Sequence, residues 1–398
     1  MLLAATFPPV AEPVQPPAPH TILIDGNFLA QVRTDHDPSI LALVRKESDK
    51  AMKQRPLSVT EKKDTPPSGD KHDYMSFAPY YFPNPATPNH LPYIRKDGEH
   101  NPEATAMEDH NSIAKLSTAV HALALGYFIT GDEAYAKRAS LLLHVWFLDP
   151  ATRMNPNLKY AQAIRGVNDG RGTGIIDARG FPEIVDALAM LSGSSAWTAA
   201  DDAAMHTWFT DYFAWLTTSE NGRHEESEKN NHGNWFDVQA TAVASYLGNT
   251  RYVHDVAEAA KTKRIESQIE PDGAQPLEEA RTTSFHYSCF SLEALMELAL
   301  IAQNVGVDLW DYKSSRGGSI RGALDYLTAF ALKQKEWKHK TISGFKPEEL
   351  RKSLLAAAVA YKSAAYESAG RAIPANEDAQ TMLLEHQFNA LSKTGAAQ

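Results

Sequence analysis

The period of the apolar residues constrains this chain more than any other feature. Ile113, Leu116, Val120, Leu123 and Tyr127 recur at three- and four-residue steps, and after a turn at Gly131 and Asp132 the pattern resumes over residues 134–147. Such spacing puts one apolar stripe on each of two successive helices, so the pair reads as a helical hairpin. Runs of the same period cover residues 182–190, 203–215, 236–247, 252–267, 291–304, 321–332, 348–369 and 379–391. Period-two alternation, the mark of a half-buried strand, is nearly absent, and an all-α chain is expected.

A weak internal echo narrows the architecture. Ala124, Leu125, Gly126 and Tyr127, followed by Gly131 and Tyr135, are matched by Val243, Ala244, Ser245 and Tyr246, followed by Gly248 and Tyr252. Each set reads as a helix end, a turn and a new helix opened by an aromatic anchor. About two helix pairs separate the sets, giving roughly 60 residues per hairpin. Hairpins of that size stack into an open solenoid or an α/α toroid, with a generic bundle as the plainer alternative. Irregular, aromatic-rich inserts favour the toroid, an incomplete barrel of helical hairpins with an irregular, loop-rich N-terminal region. Residues 1–20 read as a Pro-rich leader or arm and residues 21–398 as a single domain. Residues 62–71 read as an exposed loop. Residues 78–102 are irregular and proline-rich, yet they carry Tyr80, Tyr81, Phe82 and Tyr93, which a mere linker would not need.

Composition removes several function classes. With 39 Lys and Arg against 49 Asp and Glu the net charge is -10, the wrong sign for neutralising nucleic-acid phosphates, and no nucleic-acid partner is expected. A single cysteine, Cys289, rules out an intrachain disulfide and any thiol-based zinc cluster. The fifteen histidines form no HExxH pair, and neither GxGxxG nor GxxxxGK[ST] occurs, so no metal and no nucleotide cofactor are expected. No window reaches the roughly 18 uncharged apolar residues of a membrane span, so no membrane partner is expected.

Four groups of residues carry chemistry. The densest is Asn230, Asn231, His232, Gly233, Asn234 and Trp235, just before a helix expected to begin near Phe236, where free backbone N–H groups and the helix dipole suit a carboxylate. A plainer reading makes Asn234 an N-cap and leaves His232 exposed. The second group runs from Glu278 through Arg281 to His286 and Tyr287. Arg281 and Tyr287 share no helical face, so they converge only if the segment is partly irregular; the guanidinium would then hold an anionic group and lower the phenol pKa. Alternatively, Arg281 pairs with Glu278 and the two aromatics are buried. In the third group, Tyr80, Tyr81, Arg95 and Lys96 offer rings to stack on sugars and cations to hold acidic substituents, unless the aromatics only plug one end of the barrel. The fourth is a loop between hairpins that presents Arg153, Arg165 and Arg171.

Taken together, residues 73–83 with 92–103, then 146–162, 230–235 and 281–287, resemble the alginate-lyase domain family of polysaccharide lyases. The resemblance implies an α/α toroid and β-elimination on a β-1,4-linked polyuronate, most simply poly-β-D-mannuronate, leaving 4,5-unsaturated ends. Asn231 and His232 then look like the pair that neutralises the C5 carboxylate, with Arg281 assisting and Tyr287 transferring the proton. Tyr80, Tyr81, Arg95, Lys96, Arg165, Asn230, Trp235 and His286 look like substrate-binding residues, and no cofactor or metal is implied. In the best-known branch the hexapeptide reads Asn-Asn-His-Ser-Tyr-Trp, whereas this chain has Gly233 and Asn234; there the catalytic tyrosine ends a Tyr-His-Asn-Tyr run, whereas here Phe285 and His286 precede Tyr287 and Ser288 follows it. These departures resemble a divergent branch that includes both mannuronan and glucuronan lyases. A large anionic polysaccharide as partner implies a periplasmic or secreted protein, and a monomer is expected.

Stereochemistry sets the expected mechanism. The uronate C5 proton is weakly acidic until the adjacent carboxylate is neutralised. In β-D-mannuronate and β-D-glucuronate that proton and the C4 oxygen share a ring face, so Tyr287 alone could take the proton and return it, a syn elimination. In α-L-guluronate they lie on opposite faces, and His232 would be the base with Tyr287 as acid. Two other classes compete: a toroid glycoside hydrolase, with Asp237, Asp272, Glu278 and Glu279 as candidate carboxylates, and a polysaccharide-binding protein without turnover.

Overall fold

The computed structural model describes residues 17–393 and residue 395; the remaining positions, including most of the proline-rich leader, lie outside the described residues. Sixteen α-helices occur among the described residues. They are α1 (Gly26–Asp35), α2 (Pro38–Met52), α3 (Pro102–Thr105), α4 (Glu108–Thr130), α5 (Glu133–Leu143), α6 (Phe181–Leu191), α7 (Ala199–Thr218) and α8 (Glu220–Ser227). After them come α9 (Asn231–Tyr246), α10 (Thr250–Ala260), α11 (Pro276–Glu279), α12 (Ser284–Gln303), α13 (Ile320–Ala331), α14 (Arg351–Ala360), α15 (Ala364–Ala372) and α16 (Ala379–Lys393). α4, α6, α9, α12 and α14 pack in series, α14 meets α16, α16 meets α2, and α2 returns to α4. α5, α7, α10, α13 and α15 back this ring from outside. The result is the all-α toroid, and the echoed segments are its α4/α5 and α9/α10 hairpins.

Local chemistry explains the boundaries. Asp37 caps α2 by accepting from the Ser39 and Ile40 N–H groups, with Pro38 in the first turn, and Gly131 ends α4 in the left-handed region at φ 72°. Several boundaries differ from the sequence reading. α9 starts at Asn231 rather than near Phe236, because the Asn230 side chain accepts from the His232 N–H and caps the helix five residues early. The run expected over residues 348–369 is two helices, broken where Lys362 takes φ 52°. α4 and α12 are long and apolar enough to pass as membrane spans by length and composition, contrary to the sequence reading, yet 72% of each apolar stretch is buried inside the fold. Lys62, expected in an exposed loop, is buried: its Nζ lies 3.0 Å from the Asp109 carboxylate and donates to the Val59 and Lys71 carbonyls.

Two short strand pairs hold the irregular N-terminal zone over one end of the ring. β1 (Met75–Phe77) and β4 (Tyr160–Ala163) are parallel, while β2 (Tyr81–Phe82) and β3 (Ile94–Arg95) are antiparallel, with Tyr81 opposite Arg95. The other end is covered by residues 18–28, which roof a cavity of about 570 Å³ containing Glu183, Glu293, Glu297 and Lys352. There the buried Asp186 carboxylate accepts the N–H groups of Ile22 and Leu23. This cavity lies along the C-terminal half of α12, at the opposite end of that helix from Tyr287.

Candidate active site

The first turns of α9 and α12 meet beneath the aromatic zone, and the side chains gathered there form two linked halves. In the first half, Asn231 is fully buried; its backbone N–H and its Nδ2 both donate to Glu278, at 2.6 Å and at 2.9 and 3.1 Å. Its Oδ1 is buried without a hydrogen-bond partner. His232 places Nδ1 2.8 Å from Oε1 of the fully buried Glu225. That contact fixes the tautomer: with Nδ1–H donated to the carboxylate, Nε2 is a lone-pair acceptor in the neutral ring and a donor in the cation. Burial pushes both Glu225 and Glu278 up from the ordinary carboxylate range, opposed by His232 and by the Asn231 donors respectively. The positive end of the α9 dipole is a suitable place for two such groups.

The second half is an arginine between two phenols. Tyr80 and Tyr287 hydroxyls lie 2.5 Å apart, and the Arg281 guanidinium stacks 3.6 Å from the centre of the Tyr287 ring. Residues 280–283 are irregular between α11 and α12, which lets Arg281 and Tyr287 converge although they are six positions apart. Arg281 does not pair with Glu278. Its Nε and Nη2 donate to Asp97 at 2.8–3.2 Å, and Asp97 also accepts from the Thr282 N–H and from Arg95. Burial would raise the Asp97 carboxyl, but these donors win and hold it well below the usual range. One sequence expectation is reversed here. Burial pushes the Tyr287 phenol up, the neighbouring Tyr80 adds to this, and Arg281 pulls it down too weakly to compensate. Glu278 feels the charges of both His232 and Arg281, which ties the two halves together.

The other expected binding residues divide. Trp235 is corrected: it is 4% exposed, packs in the core 4.9 Å from the Phe290 ring and offers no face to a sugar. Asn230 is half-buried and caps α9, its side chain accepting from the His232 N–H. Tyr81 is half-buried, with Arg171 5.4 Å from its ring centre. Lys96 lies over Phe82 at 4.9 Å, Arg165 over Phe77 at 4.4 Å and beside Glu103, Arg95 against Asp97, and His286 against Glu349 at 3.2 Å. Much of the positive charge expected to face a polyanion is thus already paired.

Sequence reasoning missed Asp97, Glu225, His100 and the buried Asp177. His100 sets its ring edge-on to Tyr80 at 5.2 Å. Asp177 gathers Tyr74, Ser76, Gln162 and His110, and Gln162, held by Asp177 and Arg171, sits at φ 51°. A buried non-glycine residue in that region marks strain, which concentrates at functional sites. The Asp97-Gly98 turn inside the aromatic zone was a readable signal; nothing in the polar run around Glu225 was.

A helical toroid with histidine, arginine and paired phenols at the mouth of its ring is the scaffold of a polysaccharide lyase. Comparison with known proteins agrees: the alginate lyase family model matches residues 58–337, and the chain belongs to that family. An alginate lyase from Bacteroides ovatus is 40% identical, superposes with a TM-score of 0.88 and aligns over 92% of this chain and 99% of its own. Alginate lyase A1-III from Sphingomonas species A1 shares the fold at 14% identity and a TM-score of 0.55, over 87% and 93% of the two chains. No curated protein matches the chain.

Proposed function

We propose that this lyase cleaves β-1,4-linked polyuronate, with poly-β-D-mannuronate as its substrate, by syn β-elimination. The observation that carries the reading is the Tyr80–Tyr287 phenol pair beneath the Arg281 guanidinium, beside the His232–Glu225 couple. A protonated His232 donates from Nε2 to the C5 carboxylate, and Glu225 stabilises that cation. Neutralising the carboxylate lets the C5 carbanion delocalise into it. Tyr287 takes the C5 proton as phenolate; the electron pair forms the C4–C5 double bond as the C4–O bond breaks, and the same phenol returns the proton to the departing oxygen. Burial opposes the phenolate, so its formation depends on Arg281 over the ring and on the Tyr80 hydroxyl as donor. Asn231 acts through Glu278, which it anchors between His232 and Arg281.

The relative from Bacteroides ovatus, named as an alginate lyase, supports the substrate class. The test is ultraviolet absorbance of the conjugated C4–C5 double bond during incubation with polymannuronate, polyguluronate and glucuronan in separate cuvettes. A rise on polymannuronate is expected. A rise on glucuronan alone would move the substrate but keep the chemistry, and new reducing ends without absorbance would replace elimination by hydrolysis.

A further inference from the structure

Residues 333–346, between α13 and α14, carry Lys333, Lys335, Lys338, Lys340 and Lys346 against a single acidic residue, Glu336. In a chain of net charge -10 this is a concentrated positive segment. All five lysines are exposed, and none forms an ion pair with a carboxylate among the described residues. Arg95, Arg165 and Arg281, by contrast, face acidic partners.

The segment is fixed to the active site, not loosely attached. The Lys340 carbonyl accepts from the N–H and Oγ of Ser284, the Ile342 N–H donates to the Thr282 carbonyl, and Thr283 bridges Thr341. Trp337 donates from Nε1 to Ser284 at 2.9 Å and sets its ring edge-on to Phe285, which Phe345 also contacts at 4.4 Å. A Cβ on Gly98 would lie 3.1 Å from Ile342, so the segment also abuts the turn whose Asp97 clamps Arg281. The lysines therefore rise from a rigid wall beside Arg281 and Tyr287. Besides Glu336, the acidic groups Glu279 and Glu349 lie close by, and each faces a histidine: His339 faces Glu279 and His286 faces Glu349. Lys338, Lys340 and Lys346 lie past the end of the family match at residue 337.

We infer that residues 333–346 form a subsite outside the catalytic centre that holds the carboxylates of uronates further along the polymer. The inference rests on the polyuronate reading above. Unpaired exposed cations attract a polyanion over roughly a Debye length, about 8–10 Å at moderate salt, and concentrate it at the groove. A long chain can use this wall, whereas an oligomer confined to the catalytic subsites cannot.

The test compares the wild type with a triple variant, Lys335→Gln, Lys338→Gln and Lys340→Gln, on polymannuronate and on its tetrasaccharide. A control removes three exposed charges from α2 and the residue that follows it, by Lys46→Gln, Lys50→Gln and Lys53→Gln. We expect the ratio of kcat/KM on polymer to kcat/KM on tetrasaccharide to fall about tenfold in the first variant, through KM on polymer, and the difference to shrink as salt is raised, because screening removes the wild type's advantage. In the control the ratio stays at the wild-type value. A ratio within about twofold of wild type, or an equal fall in the control, overturns the subsite while leaving the lyase reading intact. A wild type that makes no unsaturated product from any polyuronate overturns both.

Discussion

Replacing Gly233 with alanine should destabilise the protein, although the same change in an ordinary helix stabilises it. Gly233 is the third residue of α9, where alanine normally gains about 1 kcal/mol. Here an added Cβ would lie 2.2 Å from Nη1 of Arg264 and 2.2 Å from the Glu228 carbonyl oxygen. The carbonyl is backbone, and Arg264 is locked: it is 1% exposed, paired with Asp237 at 2.7 Å and donating to the carbonyls of Glu226 and Glu228. Overpacking costs about 1–3 kcal/mol, and loss of a buried charged hydrogen bond about 1.5–3 kcal/mol. Set against the helix gain, the net is a loss of about 2–5 kcal/mol, or a fall in Tm of about 5 °C. Activity should fall further, because Asn231 and His232 share the displaced turn and a shift of about 1 Å in a positioned group can cost about a hundredfold. Thermal unfolding followed by circular dichroism, with elimination rates on polymannuronate, measures both. A Tm at or above wild type with an unchanged rate would refute the steric argument. Gly233→Ser, which restores the residue of the best-known branch, should fail in the same way, since the obstruction is to the Cβ itself.

Other outcomes follow from the same geometry. Tyr287→Phe should lower the elimination rate by about a thousandfold or more while leaving polymer retention in affinity electrophoresis largely intact; comparable turnover would remove Tyr287 from proton transfer. Burial holds the Tyr287 phenol above its ordinary value and the Arg281 guanidinium over the ring opposes this, so Arg281→Met should lower the elimination rate by about a hundredfold or more; an unchanged rate would contradict an arginine-assisted tyrosine base. Asn231→Asp places a second carboxylate against Glu278 in a buried site and should cost about 3–5 kcal/mol at neutral pH. Since Glu278 is already pushed up by burial, a shared proton should return part of that stability as pH falls, seen as a Tm that recovers on acidification. Asp186, fully buried, is pushed up to about 7, so the folded state keeps its proton where the unfolded chain has lost it. Its contribution is greatest below about pH 4 and fades as pH rises to about 7; Asp186→Asn should flatten that stretch of the Tm profile.

The toroid was legible because its inner helices carry long apolar stripes, as in α4, whose period survives without any tertiary information. α1, α2 and α8 escaped notice. The first two precede the long periodic stretch, although Asp37 and Pro38 mark a helix start, and α8 is so polar that no stripe can be read. His232, Arg281 and Tyr287 could be singled out from residue type and spacing. Their partners could not: Asp97 lies 184 positions from Arg281, and Tyr80 lies 207 from Tyr287. Trp235 shows the opposite failure, since an indole beside a catalytic motif looks like a sugar platform until the start of α9 rotates it into the core. The charge of Arg281 was likewise expected to activate Tyr287, but the sequence alone carries no measure of burial, and burial is the larger effect.

The meeting of α2 with α16 has a consequence for how the protein is made. At that seam the Ala379 N–H donates to Glu47, a contact spanning 332 positions of chain. Contacts of such separation form late, because the intervening loop must close before they can contribute. On the ribosome the hairpins from α4 to α13 can pack as they emerge, but the ring cannot shut until the last helix is released. A circular permutant that links the start of α1 to the end of α16 and opens the chain in the exposed turn at Gly248 would make this seam local and move the late closure to α9 and α12, which pack across the new opening.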